Sequence, residues 1–460
     1  MSDYRLIGMD NAHMTLNEIR QFSRTFRGDV AGVGSLIPTS PYAARAMASE
    51  LARDTRPRNI LEVGVGTGSV TAEIVKSIGP DDRLTLVELN SEFAAYLRDR
   101  VETDPEFARV RDQIDVREMN VLDLEAGVTF DYIVSAIPFS NLPPELVSAI
   151  LLRYQTLLKP GGVLSFIEYI YGRTLKQIGA QAINDEATLN KAAAVENIIA
   201  SQARAYEFRR DTVLRNVPPA WVRHWRFDAA KAESAVHLLP REHTQRVAIG
   251  SVAFDTDALP FLAGLGALAW ATRKRAPVLS GIATLAAAGA AIFLRDPKRS
   301  VPIDGDLAVS ACDGEVMRIE QVHDLRFGEG TWTRIACFLS ITDTHINRAP
   351  VAGKVVDVIF EDGGYAPAMQ DEAEHNCAAY TVIDSADGGR VIVAQRVGAV
   401  ARRIVNRCKA GDVLARGEKI GLIRFGSRTD VYLPVDHYEV LVQPGDRMRA
   451  GETVIAKRVG

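Results

Sequence analysis

Three different spacings of apolar and polar residues divide the chain. Between residues 59 and 169, short apolar runs alternate with stretches of helical period. Asn59–Val63, Leu84–Glu88, Phe130–Phe139 and Val163–Tyr169 read as buried strands, the pattern of an α/β domain with helices on both faces of its sheet. Ala43–Arg53 and residues 180–207 read as helices, the second free of glycine and proline throughout. Lys159-Pro-Gly-Gly162 reads as a turn before the last strand. From Arg295 onward the pattern shortens to Val/Ile strands between glycine turns, which predicts a mainly β domain.

The third spacing is continuous apolarity. Ala258–Trp270 and Ala276–Leu294 are apolar throughout, separated by Arg273-Lys-Arg275 and followed by Arg295, Lys298 and Arg299. A spanning helix wants about 20 such residues, so the second run is marginal and the first too short. The pair reads as a helical hairpin dipping into a leaflet with its cations at anionic headgroups, or else as a buried hairpin in a soluble core. A polar amphipathic helix over 15–30, with Arg20, Arg24 and Arg27, carries the same two readings, packing or lipid contact.

Composition narrows the class. A chain of 460 residues predicts two or three domains, and 47% hydrophobic with 24% charged residues is globular. The net charge of −4 gives no nucleic-acid footprint. Cys312, Cys337, Cys377 and Cys408 form no CxxC pair, so neither a metal site nor a disulfide framework is expected, and a reducing compartment fits. Met-Ser-Asp-Tyr-Arg at the start does not read as a secretory signal.

Chemistry enters at Glu62-Val-Gly-Val-Gly-Thr-Gly68. Gly64, Gly66 and Gly68 lie between a strand and a helix, where bare backbone can approach a ligand. The next strand ends in Glu88, an acid able to hold both hydroxyls of a ribose. Glu62 ahead of the first glycine, and E-x-G-x-G-x-G in place of G-x-G-x-x-G, favour S-adenosylmethionine over a dinucleotide. Asp123, after the third strand, reads as a helix cap or as a contact to adenine. This series resembles a class I methyltransferase. Over residues 15–228, with Gly34-Ser-Leu-Ile-Pro-Thr-Ser-Pro41 and Ile137-Pro-Phe-Ser-Asn-Leu-Pro143, it is similar to bacterial phosphatidylethanolamine N-methyltransferases. The loop after the fourth strand lacks an Asn-Pro-Pro-Tyr motif for a planar base, which leans towards an aliphatic amine.

Near the end, Gly411-Asp-Val-Leu-Ala-Arg-Gly-Glu418 and Gly445-Asp-Arg-Met-Arg-Ala-Gly-Glu452 repeat as G-D-x-x-x-x-G-E. They resemble the hairpins of lipoyl and biotin carrier domains but display no carrier lysine, which points to architecture. Four ordered motifs then carry a second resemblance: Phe293-Leu-Arg-Asp-Pro-Lys-Arg-Ser-Val-Pro302, Ser310-Ala-Cys-Asp-Gly-Glu-Val316, Phe338-Leu-Ser-Ile-Thr-Asp-Thr-His-Ile-Asn-Arg-Ala-Pro350 and Phe425-Gly-Ser-Arg428. Over about residues 250–460 the chain is similar to short-form bacterial phosphatidylserine decarboxylases. That resemblance implies self-cleavage between Gly426 and Ser427 and conversion of Ser427 to a pyruvoyl group. The group would act through a Schiff base with the substrate amine. Asp313 matches the family's acid, and His345 takes a proton-transfer role in cleavage or decarboxylation. Arg348 stands where longer relatives carry a second histidine, so the division of base duties is left open, and holding a carboxylate or phosphate is the alternative role for Arg348. Glu374-His-Asn-Cys377 departs from the usual Asn-Glu-Arg.

The expectation is a multidomain protein with three parts. Residues 1–230 form a Rossmann-like methyltransferase, 231–295 a linker with the membrane-associating hairpin, and 296–460 a mainly β decarboxylase with hammerhead-like hairpins. The expected activity is decarboxylation of phosphatidylserine and methylation of the resulting amine towards phosphatidylcholine. Its partners would be phospholipids, the cytoplasmic face of the cytoplasmic membrane, and its own fragments 1–426 and 427–460, which stay associated. A homo-oligomer is left open. Two alternatives stand beside it: a methyltransferase half acting on an RNA base or small amine, and a catalytically silent lipid-binding scaffold.

Overall fold

The computed structural model describes residues 39–125, 127–170, 186–228, 231–241, 246–249, 252–386, 388–399, 403–424 and 427–459. The helix expected over 15–30, most of the Gly34–Pro41 motif, and Phe425 and Gly426 lie outside these residues. The chain divides into two compact units, Met1–Ala229 and Ala230–Gly460.

In the first unit seven strands form one sheet: β1 (Asn59–Val63), β2 (Arg83–Glu88), β3 (Ile114–Glu118), β4 (Phe130–Ser135), β5 (Leu158–Tyr169), β6 (Glu207–Val213) and β7 (Ala220–Trp225). Their order is 3-2-1-4-5-7-6, parallel from β3 to β5, with β7 antiparallel to both its neighbours. Ile60, Leu84 and Val134 face one apolar layer and Leu61, Val87 and Ile133 the other, so the near-continuous apolar runs follow from burial on both faces. Helices α1 (Pro41–Ala48), α2 (Ser69–Ile74), α3 (Ser91–Thr103), α4 (Pro144–Leu157) and α5 (Glu186–Tyr206) connect and cover the strands. Helix α3 starts where the Asn90 side chain accepts from the Glu92 and Phe93 N–H groups. Trp225 is fully buried, edge-on to Phe166 with ring centroids 4.8 Å apart.

Lys159-Pro-Gly-Gly162 is not a separate turn. Strand β5 begins at Leu158, and the register slips between Phe130↔Leu158 and Tyr132↔Val163, so these residues bulge opposite Asp131. Lys159 Nζ closes the bulge on the Asp131 carboxylate at 2.7 Å.

The second unit opens with a two-stranded ribbon, β8 (Arg246–Ile249) and β9 (Val252–Asp255), then α6 (Leu259–Thr272) and α7 (Pro277–Phe293). The two apolar runs are therefore helices, and they pack on each other, tied by Ser280 Oγ donating to the Ala269 carbonyl at 2.8 Å. Helix α6 buries none of its residues, and α7 buries only Ala283, Ala290 and Phe293. Among the described residues no helix is long and apolar enough to cross a membrane.

The remaining strands are β10 (Leu307–Val309), β11 (Gly314–His323), β12 (Thr331–Leu339), β13 (Ile346–Arg348), β14 (Gly353–Glu361) and β15 (Ala378–Ser385). They continue with β16 (Arg390–Val397), β17 (Arg403–Asn406), β18 (Val413–Leu414), β19 (Lys419–Arg424) and β20 (Ser427–Pro434). The last are β21 (Tyr438–Val440), β22 (Arg447–Met448) and β23 (Val454–Arg458). The main sheet runs 18-14-15-16-20-12-11-22, and smaller sheets 13-19-17 and 10-23-21 accompany it. The mainly β expectation holds.

The G-D-x-x-x-x-G-E repeat builds the same corner twice. Asp412 and Asp446 each accept the N–H three residues earlier, at 2.9 Å. Gly411 and Gly445 share a φ of +95° and donate to the Val355 and Val316 carbonyls, both at 2.8 Å. The following strands, β18 and β22, then pair with β14 and β11 at the two edges of the main sheet. The repeat is architectural.

Candidate active sites

In the first unit the expected cofactor residues lie at or beyond the carboxyl ends of β1, β2 and β3, on the side of the β1/β4 switch point of the sheet. Gly64, Gly66 and Gly68 all have positive φ, at +73°, +54° and +78°. A side chain on Gly66 would project into open space, whereas one on Gly68 would press Leu97 and Arg100 at 3.1 Å. Glu88 is buried, accepting from the Gly66 N–H and the Asn90 N–H at 2.9 Å each, which aims its carboxylate at the glycine turn. Asp123 is half-buried in a short 3-10 turn after β3, beginning one residue beyond the Asn120 cap. Glu62 is fully buried with neither carboxylate oxygen hydrogen-bonded among the described residues. Burial pushes its carboxyl up to about 8, so it is largely protonated at neutral pH. An open glycine turn facing an aimed acid fits an adenosyl cofactor.

In the second unit β20 is the centre of the main sheet, paired with β12 on one side and β16 on the other. Ser427 heads this strand, fully buried between register partners Leu339 and Val397. Among the described residues its Oγ has no hydrogen-bond partner. A buried hydroxyl left unpaired costs free energy and calls for an explanation. Alternation along the strand then splits its neighbours between two faces.

On the Ser427 face lies a chain of buried amides and hydroxyls. Asn347 Nδ2 donates to Thr429 Oγ1 at 2.8 Å, Gln395 Nε2 to Asn347 Oδ1 at 2.9 Å, and Asn406 Nδ2 to Gln395 Oε1 at 3.1 Å. Thr429 also contacts the Cys312 thiol, beside Asp313. Three segments thus meet at the head of β20. Leu339 leads through a five-residue loop to His345, the Ile423 N–H donates to the His345 carbonyl at 3.2 Å just ahead of Ser427, and Ser310–Asp313 runs alongside. Gly421 permits the approach of β17 to β19, since a Cβ there would stand 2.0 Å from the Val405 carbonyl oxygen.

His345 is 1% exposed. Its Nδ1 lies 3.0 Å from the Asp343 carbonyl, an acceptor only, so the proton sits on Nδ1 and Nε2 is the basic nitrogen. Burial pulls its pKa down to about 4, so the ring is neutral at pH 7. Phe293 stacks on the ring with centroids 3.8 Å apart. Asp313 holds Arg299, whose Nη2 donates to both carboxylate oxygens at 2.8 and 2.7 Å, and accepts the Ala450 N–H at 2.8 Å. The imidazole is thus oriented by Asp343 and Phe293, while Asp313 anchors Arg299. Arg348 does hold a carboxylate, that of Asp296 at 3.0 Å, with the Gly417 carbonyl at 3.0 Å. Burial lowers the Arg348 pKa and Asp296 opposes that shift.

The other face of β20 is ionic. Arg428 and Asp430 are fully buried and paired at 2.6 Å, Arg396 joins Asp430 at 3.1 Å, and Glu374 accepts from Arg428 at 2.9 Å and Arg334 at 2.7 Å. A cavity of about 560 Å³, lined by Arg334, Glu374, Arg396 and Tyr432 among others, opens on this face, behind the chemistry. The Glu374 departure therefore neutralises guanidinium groups behind Ser427. Sequence reasoning missed Phe293, Arg299, Asp343, Asn347 and Thr429, although all five lie in or beside the four quoted motifs.

The two units thus define two classes of chemistry, transfer of a group from an adenosyl cofactor and activation of a buried serine. Residues 287–456 match the family model for phosphatidylserine decarboxylase, and residues 60–162 that for a methyltransferase domain. The phosphatidylserine decarboxylase proenzyme of Symbiobacterium thermophilum is 44% identical over 206 residues, 43% of this chain and 92% of the relative. A putative archaetidylserine decarboxylase proenzyme of Methanococcoides burtonii is 42% identical over 166 residues, 36% of this chain and 74% of the relative. An O-methyltransferase from Bacillus cereus aligns over 48% of this chain and 93% of its own at 17% identity with a TM-score of 0.32, too distant to bear on the acceptor. The chain belongs to the phosphatidylserine decarboxylase family, joined to a class I methyltransferase domain. Its cofactors are a pyruvoyl group and S-adenosylmethionine.

Proposed function

We propose that the chain decarboxylates phosphatidylserine and then methylates the amine of the product, at a lipid surface. The observation that carries the first half is the buried Ser427 hydroxyl at the head of the central strand, without a hydrogen-bond partner among the described residues. In this reading His345 Nε2 takes the Ser427 proton as Oγ attacks the Gly426 carbonyl carbon. The Gly426–Ser427 C–N bond breaks and an ester replaces it. Loss of the Ser427 α-proton expels the Gly426 carboxylate, and water then releases ammonia from residue 427 to leave a ketone. When formed, that carbonyl supplies an electron sink for the pair released with carbon dioxide. Asp313, paired with Arg299, is held in place beside the site, and the amides around Thr429 brace the strand on the Ser427 face. The two relatives named above share a serine headgroup and differ in the lipid part, which supports recognition at the headgroup.

In the methyltransferase half S-adenosylmethionine supplies the electrophilic methyl. Glu88 takes the ribose hydroxyls, Gly64, Gly66 and Gly68 admit the cofactor to the backbone, Asp123 reaches the adenine, and Glu62 closes the floor beneath the turn. The acceptor is the ethanolamine amine made by the other half. The exposed apolar flanks of α6 and α7, with Trp270, Val278, Ile282 and Leu285 more than half exposed, support seating on lipid. The Arg273 guanidinium, 4.3 Å above the Trp270 ring at the hairpin tip, suits the headgroup level of the cytoplasmic leaflet.

One incubation tests the sequence of reactions. Purified protein receives vesicles containing phosphatidylserine with methyl-labelled S-adenosylmethionine, and lipids are separated by chromatography. The proposal expects labelled, methylated phosphatidylethanolamine. Release of carbon dioxide without labelled lipid would refute the lipid acceptor and leave the decarboxylase half standing.

A further inference from the structure

The end of helix α7 holds the His345 segment at four separate points. Phe293 stacks on the imidazole at 3.8 Å with the ring planes tilted by 32°. Leu294 shares a buried cluster with Ile346 and Leu422. Arg295 Nη2 donates to the Thr342 carbonyl at 3.0 Å. Asp296 accepts from Arg348 at 3.0 Å and from Lys419 at 2.7 Å. Four consecutive residues thus fix positions 342, 345, 346 and 348, and the strand β19 that leads to Ser427. The helix they terminate is otherwise largely exposed and apolar.

We propose that Phe293 is a positioning residue for His345, and that Phe293–Asp296 is a clamp through which the seat of the apolar hairpin sets the attitude of the imidazole toward Ser427. This rests on the reading of His345 as the base. A hydrogen bond from Nδ1 to the Asp343 carbonyl fixes one point of the ring, and imidazole rotation about its last torsion is otherwise soft. A flat aromatic face against the ring removes that freedom. A branched aliphatic side chain stays apolar but is smaller and offers no flat face. Charged groups around the ring are Asp343 and Asp313, which favour its protonation, and Arg295, which opposes it. Burial, with Arg295 on its side, outweighs the two acids, and Phe293 supplies part of that burial.

The test compares full-length chains carrying Phe293→Leu, Phe293→Tyr and His345→Gln. Self-cleavage is followed by pulse–chase in cell-free translation, and decarboxylation by carbon dioxide release between pH 5 and 9, with the unfolding temperature of each variant as control. Misplacing a reacting group by about 1 Å costs up to about a hundredfold, so Phe293→Leu is expected to slow self-cleavage by at least about tenfold, well beyond what its fall in unfolding temperature accounts for. Its acid limb moves to higher pH, because a better hydrated imidazole protonates more readily. Phe293→Tyr, which keeps the aromatic face, restores the rate and the limb. The clamp is overturned if Phe293→Leu matches wild type in rate and pH profile, or if both substitutions slow cleavage only as far as they lower the unfolding temperature. Wild-type cleavage by His345→Gln would overturn the role of His345 itself, whatever Phe293 does.

Discussion

Asp296→Asn puts the root of the hairpin to the test. Asp296 is 2% exposed and accepts from Lys419 at 2.7 Å and Arg348 at 3.0 Å, with Arg246 at 3.9 Å. Asp255, fully buried, takes Arg407 at 2.6 Å and Lys419 at 3.2 Å, and Asp257 stands 3.4 Å from Arg407. Asparagine keeps the shape and one acceptor but removes the charge, leaving four cations to Asp255 and the rim carboxylate of Asp257. Removing one partner of a buried pair costs about 3–5 kcal/mol. Lys419 still reaches Asp255 and Arg348 still donates to Gly417, which sets the expectation at the low end, about 3 kcal/mol. For a unit of this size each kcal/mol moves the midpoint by about 2–4 °C, so the transition of the second unit should fall by about 6–12 °C. Calorimetry of the full chain reads it. Lys419→Met alone leaves Asp296 to Arg348 and the more distant Arg246, and the double variant should recover about 1–3 kcal/mol against the sum of the singles. An unchanged midpoint with an additive cycle would refute the clamp's electrostatic root.

Two further predictions follow charge in opposite senses. At Glu374 burial alone would raise the pKa, but the charges of Arg428 and Arg334 outweigh it and hold the carboxyl down at about 2 from 4.5. Its contribution is present above pH 4.5 and lost as pH falls towards 2, so Glu374→Gln should be less stable at pH 7 and flatter over that window in urea titrations. Glu62 runs the other way: with its pKa raised to about 8, stability is full below 4.5 and declines as pH rises through 8. Glu62→Gln should therefore gain most in the first unit's unfolding temperature at pH 8, and an equal gain at pH 5 would contradict the assignment. Glu88→Ala should weaken S-adenosylmethionine binding by about tenfold to a hundredfold in calorimetric titration, the worth of charged hydrogen bonds of about 1.5–3 kcal/mol.

Much of the architecture was legible because it is local. The strand periods, the glycine turn, the helix of residues 186–206 and both apolar helices are written in contiguous residues. The bulge at Lys159–Gly162 was not, because a Pro-Gly-Gly run looks like a turn until β4 supplies a partner for Leu158 and Val163. Motif order likewise pointed to Ser427, Asp313 and His345, but their partners depend on topology. Asp313 meets Arg299 and Arg348 meets Asp296 across separations that no periodicity links. The stacking of Phe293 on His345 joins two motifs 52 residues apart, and only the fold brings them together. The ionic face behind Ser427 was equally hidden, since Glu374, Arg396 and Asp430 come from three segments.

Intact-mass spectrometry of the purified full-length protein tests the central claim most directly. The account predicts two associated polypeptides, residues 1–426 and 427–460, the smaller beginning with a ketone in place of the Ser427 amine, and a single uncut chain for Ser427→Ala. A wild-type protein that remains one chain with an unmodified Ser427 would contradict it.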